Sequence, residues 1–145
     1  MSLSDWQKFG WLTTHQATPD EIRALFAVAD RDLNDSDVIG LSADTQLGLA
    51  YNAALQLATA ALAAEGFRAA RDSKHLRTIE SLAFTIQLDG AAVRRFDAFR
   101  RKRNISDYER AGTSSQGEAT EMKTLARDLL RRVKAWLESN HAELV

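Results

Sequence analysis

The sequence predicts an all-α protein: a four-helix up-and-down bundle with an additional N-terminal helix. Three observations carry that reading. Apolar residues recur at steps of three and four over long windows, as in Met122, Leu125, Ala126, Leu129, Val133, Trp136 and Leu137, which is the spacing of one helix face. Helix starts are written into the chain at Thr18-Pro19 and at Ser115-x-x-Glu118, where a hydroxyl can cap free backbone N–H groups. No window shows the sustained apolar-polar alternation, bounded by turns, that a half-buried strand needs. At 145 residues with 45% hydrophobic content, one domain with one sizeable core is the natural count.

Taken in order, Trp6 to Trp11 is expected to form a short helix packing its tryptophans on the bundle, although Gly10 interrupts it. Thr18 caps the next helix, Pro19 takes its first position, and Asp20 and Glu21 meet its positive end. It should run to about Leu33 with Ile22, Leu25, Phe26, Ala29 and Leu33 inward. Asn34-Asp35-Ser36-Asp37 and Gly40 make a loop. Ser42 then starts a long helix that Gly66 stops, with Leu47, Ala50, Tyr51, Ala54, Leu55, Ala58 and Leu62 as its stripe. Its many alanines let a neighbour approach closely, so this is the expected central helix, and Tyr51 should sit at the core edge with its hydroxyl satisfied. After the loop at Arg71-Asp72-Ser73, a helix carrying His75, Leu76, Ile79, Ala83 and Ile86 should end near Leu88. Another starts at about Ala91 and brings Ala92, Val93, Phe96 and Phe99 to one face, and Gly112-Thr113-Ser114 closes it. The last helix follows Ser115, its outer face of Lys123, Arg127, Arg131, Arg132 and Lys134 reading as solvated.

Composition removes several kinds of chemistry. The net charge of -1 excludes a generally basic nucleic-acid coat, so any polyanion contact has to come from a local patch. With no cysteine there are no disulfides, thiolate metal sites or cysteine nucleophiles. The three histidines, His15, His75 and His141, are widely separated and show no metal-ligand spacing. His15 and His141 read as surface residues and His75 as a helix-start residue touching the core. Phosphate-binding glycine loops, nucleophile elbows and H-E-x-x-H helices are absent. Neither a metal nor a cofactor is expected. With Asp5 and Lys8 near the start and no apolar run suited to a leader or span, the expected location is the cytoplasm, without a membrane.

The chemistry concentrates in Phe99-Arg100-Arg101-Lys102-Arg103-Asn104-Ile105-Ser106-Asp107-Tyr108. Continuing the line of Ala92, Phe96 and Phe99 by one turn places Arg103 on the apolar face, aimed at the core or at a second subunit. This run, together with Ala50-Tyr51-Asn52-Ala53-Ala54-Leu55 and Gly66-Phe67-Arg68, resembles the HEPN superfamily (higher eukaryotes and prokaryotes nucleotide-binding domain), and the similarity covers about Ser42 to Leu137. The resemblance implies a helical bundle that commonly dimerises, in a family where many members are RNase toxins or partners of minimal nucleotidyltransferases. The family signature is an arginine, usually followed by a polar residue, and a histidine after four to six more. Arg103-Asn104 matches the first half. Tyr108 stands where the shortest spacing puts the histidine, and Arg110 stands where some family toxins carry a modifiable tyrosine.

Two function classes follow from the resemblance. The first is a binding module, catalytically weak or inactive, that holds RNA, a nucleotide or a nucleotidyltransferase partner through Arg100, Arg101, Arg103, Asn104 and Asp107. The second is an active metal-independent ribonuclease toxin of a toxin-antitoxin pair, with Arg103 and Tyr108 as its catalytic residues. Tyrosine, with an ordinary pKa of about 10, is a poor base at neutral pH, and this favours the first class. A homodimer with Arg103 near the interface is expected in either case.

Overall fold

In a computed structural model of the chain, residues 1–108 and 111–145 are described, those at 105–108 by their helical backbone alone. The elements are α1 (Leu3–Lys8), β1 (Leu12–Thr14), α2 (Pro19–Asp35), α3 (Ala43–Ala64), β2 (Phe67–Ala69), α4 (Lys74–Glu80), α5 (Gly90–Tyr108) and α6 (Gln116–Asn140), with short 3₁₀ turns at Ser81–Ala83 and Ala142–Leu144. The caps fall where the hydroxyls stand. Thr18 accepts from the Glu21 N–H, Ser42 from Thr45, and Ser115 from Glu118, whose carboxylate closes the box on the Ser115 N–H.

Side-chain pairs fix the directions of the four long helices. Arg95 and Lys102 on α5 meet Glu121 and Glu118 on α6, so these two run antiparallel. Gln46 and Gln116 exchange amide hydrogen bonds near the starts of α3 and α6, while Glu65 and His141 meet near their ends, so these two run parallel. Asp37, just past α2, holds Lys123 and Arg127 on the early part of α6. The start of α2 lies by the end of α6, with Ile22 facing Glu138 and Leu144 across a cavity. The order is up-down-up-down, as the sequence predicts, and α3 is the middle of it. Leu47, Leu57, Leu62 and seven alanines of α3 are almost wholly withdrawn from water. By length and composition α3 is apolar enough to cross a membrane, but its apolar surface is covered by the other helices.

Three elements depart from the sequence reading. The N-terminal helix ends at Lys8, and the chain beyond it forms β1, which pairs antiparallel with β2 with Thr13 opposite Arg68. Strands of three residues are too short to show alternation. Trp6 and Trp11 do pack on the body of the protein, flanking Phe84 and the Arg77 guanidinium, which lies 3.5 Å from the Trp11 ring centre. The helix carrying His75 stops at Glu80, because Ser81 and Thr85 turn their hydroxyls onto backbone carbonyls behind them and the chain tightens into a 3₁₀ turn. His15 and His141 are half-buried rather than free on the surface, and they face Glu21 and Glu65, respectively.

Ala58 is fully buried in the core cluster, and a larger side chain there has no room without displacing a neighbouring helix. Ala58→Leu is therefore expected to cost about 1–3 kcal/mol, read as a lower urea midpoint with an unchanged slope.

Candidate functional site

Helix α3 is covered on nearly all sides, and the residues along its body that still reach water are Thr45, Gly48, Leu49, Asn52, Gln56 and Thr59. Their spacing of three and four puts them on one face. That face is the floor of a groove, walled by α2 on one side and by β2, α4 and α5 on the other.

The groove has two recesses. The first, about 390 Å³, is bounded by Arg31 and Asp32 from α2, Asp44 to Asn52 from α3, and Arg103 from α5. A Cβ added at Gly48 would meet no atom within 4 Å, so the floor is open there. The Asp32 side chain is only 4% exposed. Its carboxylate accepts from the Asn52 amide at 2.6 Å and from the Arg31 Nε at 3.1 Å, as a buried charge requires. Asp44 accepts from the backbone N–H groups of Gly112 and Ser114, tying the connection between α5 and α6 to the start of α3. The second recess, about 130 Å³, lies further along α3 and is lined by Gln56 and Thr59, by Arg68 of β2, and by Lys74, His75 and Thr78 of α4. The Gln56 amide donates to the Asn52 side-chain oxygen at 3.3 Å, joining the two recesses.

The electrostatics follow from this placement. Four cations, Arg31, Arg68, Lys74 and Arg103, line the recesses against two carboxylates, Asp32 and Asp44, and both carboxylates are held by protein donors. Arg103 is half-buried with its guanidinium 5.6 Å from the Tyr51 ring centre. Burial pushes the Tyr51 hydroxyl from 10.0 up to about 12, against the opposing pull of Arg103 and Arg100. The Tyr51 hydroxyl has no hydrogen-bond partner among the described residues, contrary to the sequence expectation. His75 lies below its ordinary value of 6.5, first because its ring is partly withdrawn from water and then because Arg103, Lys74 and Arg100 repel an imidazolium.

The residues singled out from sequence divide around this groove. Arg103 lines it. Arg100 is close enough to act on His75 and Tyr51, while its Nε donates to Asp97 at 2.7 Å. Arg101 also pairs with Asp97, but points outward with its side chain 66% exposed. Asn104 is half-buried on α5. The side chains of Asp107 and Tyr108 lie outside the described residues, as does Arg110. Sequence reasoning missed Arg31, Asp32, Gln56, Arg68 and Lys74 as site residues. The signal for the floor was present, since Thr45, Asn52, Gln56 and Thr59 repeat on one face of an otherwise apolar helix.

Comparison with protein-family models, with curated proteins and with solved structures returns no match to this chain.

Two outcomes check the site as a structure. Asn52→Leu removes one of the donors to the Asp32 carboxylate and should cost about 1–3 kcal/mol in chemical denaturation. Tyr51 binds its proton more tightly folded than unfolded. Its contribution is thus complete below pH 10 and lost as pH rises from 10 towards 12. Ultraviolet titration should show a tyrosine step at about 12 that Tyr51→Phe deletes.

Proposed function

We propose that the protein is a HEPN-like RNA- or nucleotide-binding module whose binding surface is the groove along α3. One observation carries the reading: a central helix that is otherwise apolar and buried leaves a single polar face open, and cations from four separate elements converge on that face in a chain of net charge -1. Guanidinium and ammonium groups take phosphate oxygens. The amides of Asn52 and Gln56 offer donors and acceptors of the kind that meet base edges. Arg103, the arginine of the motif, supplies the link between the sequence resemblance and the groove.

The reading includes a homodimer in which α5 helices of two copies approach one another, so that two sets of cations share one field. A minimal nucleotidyltransferase is the protein partner it admits. Asp97 neutralises much of Arg100 and Arg101, so the groove cations rather than the whole arginine run carry binding.

The test is a titration of labelled single-stranded RNA from 50 to 200 mM salt, with light scattering on the same samples. Four phosphate contacts give a slope of log K against log salt of about -3. Arg31→Ala combined with Arg103→Ala should reduce that slope by roughly 1, whereas Arg101→Ala should leave it nearly unchanged. No binding at 50 mM salt, or a slope unaffected by the double variant, overturns the reading. A monomer at tens of micromolar removes the dimer from it.

A further inference from the structure

We infer that the cavity between α2 and α6 binds a small amphipathic monoanion: an apolar body carrying one carboxylate. It shares no lining residue with the groove along α3, so the inference stands apart from the binding reading above. At about 460 Å³ it falls within the range of about 300–1,000 Å³ occupied by small-molecule sites. Ile22 and Phe26 of α2, Leu130 of α6 and Leu144 of the C-terminal turn supply its apolar wall. Phe26 and Leu130 are only half-buried, so hydrocarbon laid against them leaves water together with theirs. The wall is formed in advance. The His141 ring centre stands 5.1 Å from that of Trp136 and its Nε2 faces Glu65, while the Leu144 N–H donates to the His141 carbonyl at 2.9 Å, and this holds Leu144 at the edge of the cavity.

Charge selects the head group. Arg127, Arg131 and Lys134 follow one another along the cavity at steps of four and three, on one edge of α6. The acids beside them are shared: Asp37 serves both Lys123 and Arg127, and Asp128 serves both Arg131 and Arg132. Among the described residues no carboxylate lies within ion-pair distance of Lys134. Arg23, on the α2 edge, is matched by Asp20. Two further acids line the cavity, Asp30 and Glu138. Because the end of α2 lies by the early part of α6, Asp30 stands at the Arg127 end and Glu138 at the other, beyond Lys134. A carboxylate is thus drawn to Arg131 and Lys134, between the two acids, and a second negative group at either end of the ligand meets like charge. From Ile22 to Asp30 the lining covers roughly 12 Å of α2, a length suited to a medium-chain fatty acid.

The experiment titrates the whole protein with decanoate at neutral pH in a calorimeter, alongside butyrate, decylamine and decanedioate, with light scattering on the same samples. Expected are saturable binding of decanoate with a Kd below about 1 mM, weaker binding of the other three, and an unchanged particle mass. Lys134→Glu alters an exposed side chain and should weaken decanoate roughly tenfold. Arg31→Ala combined with Arg103→Ala, in the groove, should leave decanoate binding as it was. No saturable binding, equal binding of decylamine or decanedioate, or an affinity untouched by Lys134→Glu overturns the inference. Loss of decanoate binding in the groove double variant overturns it as well, by placing the ligand elsewhere. So does a fall in mass on adding decanoate, since the cavity is then the seat of a second copy of the chain.

Discussion

The fold depends on how much of α3 can be hidden. A 22-residue helix rich in alanine and leucine gains stability only by burying most of its circumference, and its small side chains let α2 and α6 come close enough to do so. Alanine loses no side-chain entropy on burial and offers little area per residue, so the contact has to be long and close. Three helices can be brought against α3 in this way. The remaining sector keeps Thr45, Asn52, Gln56 and Thr59, and the groove is what close packing leaves open.

Charge is distributed to the same end. A net charge of -1 conceals a groove with four cations and two occupied carboxylates, because most other arginines are matched locally. Asp97 holds Arg100 and Arg101, Glu121 holds Arg95, and Asp37 holds Lys123 and Arg127. Exposed pairs of this kind add little to stability. Their larger effect is to keep the outer surfaces near neutral, so that the groove, where cations outnumber carboxylates, stands out in the field of the protein.

The helices and most of the core were legible in the sequence because both follow from local periodicity and capping hydroxyls. Ser115 and Glu118, or Thr18 and Pro19, need no tertiary information to act. The β1–β2 pair was not legible, since three residues carry no alternation and their partners stand 55 positions apart. For the site, the run from Arg100 to Asn104 was visible as a charge cluster and Arg103 was placed on the inward face by spacing alone. Arg31, Asp32, Arg68 and Lys74 belong to three other elements, each unremarkable in isolation. Only packing of α2, β2 and α4 around one face of α3 gives them a common ligand.

A histidine four to six residues after an arginine shares its helix, and the spacing alone brings the two together. Here the chain has Tyr108 at that distance, and a phenol is almost entirely protonated at neutral pH. What the packing of α4 beside α5 sets around Arg103 is a field shared between helices: partial withdrawal of the His75 ring from water, and then Arg103, Lys74 and Arg100, disfavour its imidazolium and hold it below the ordinary value of 6.5.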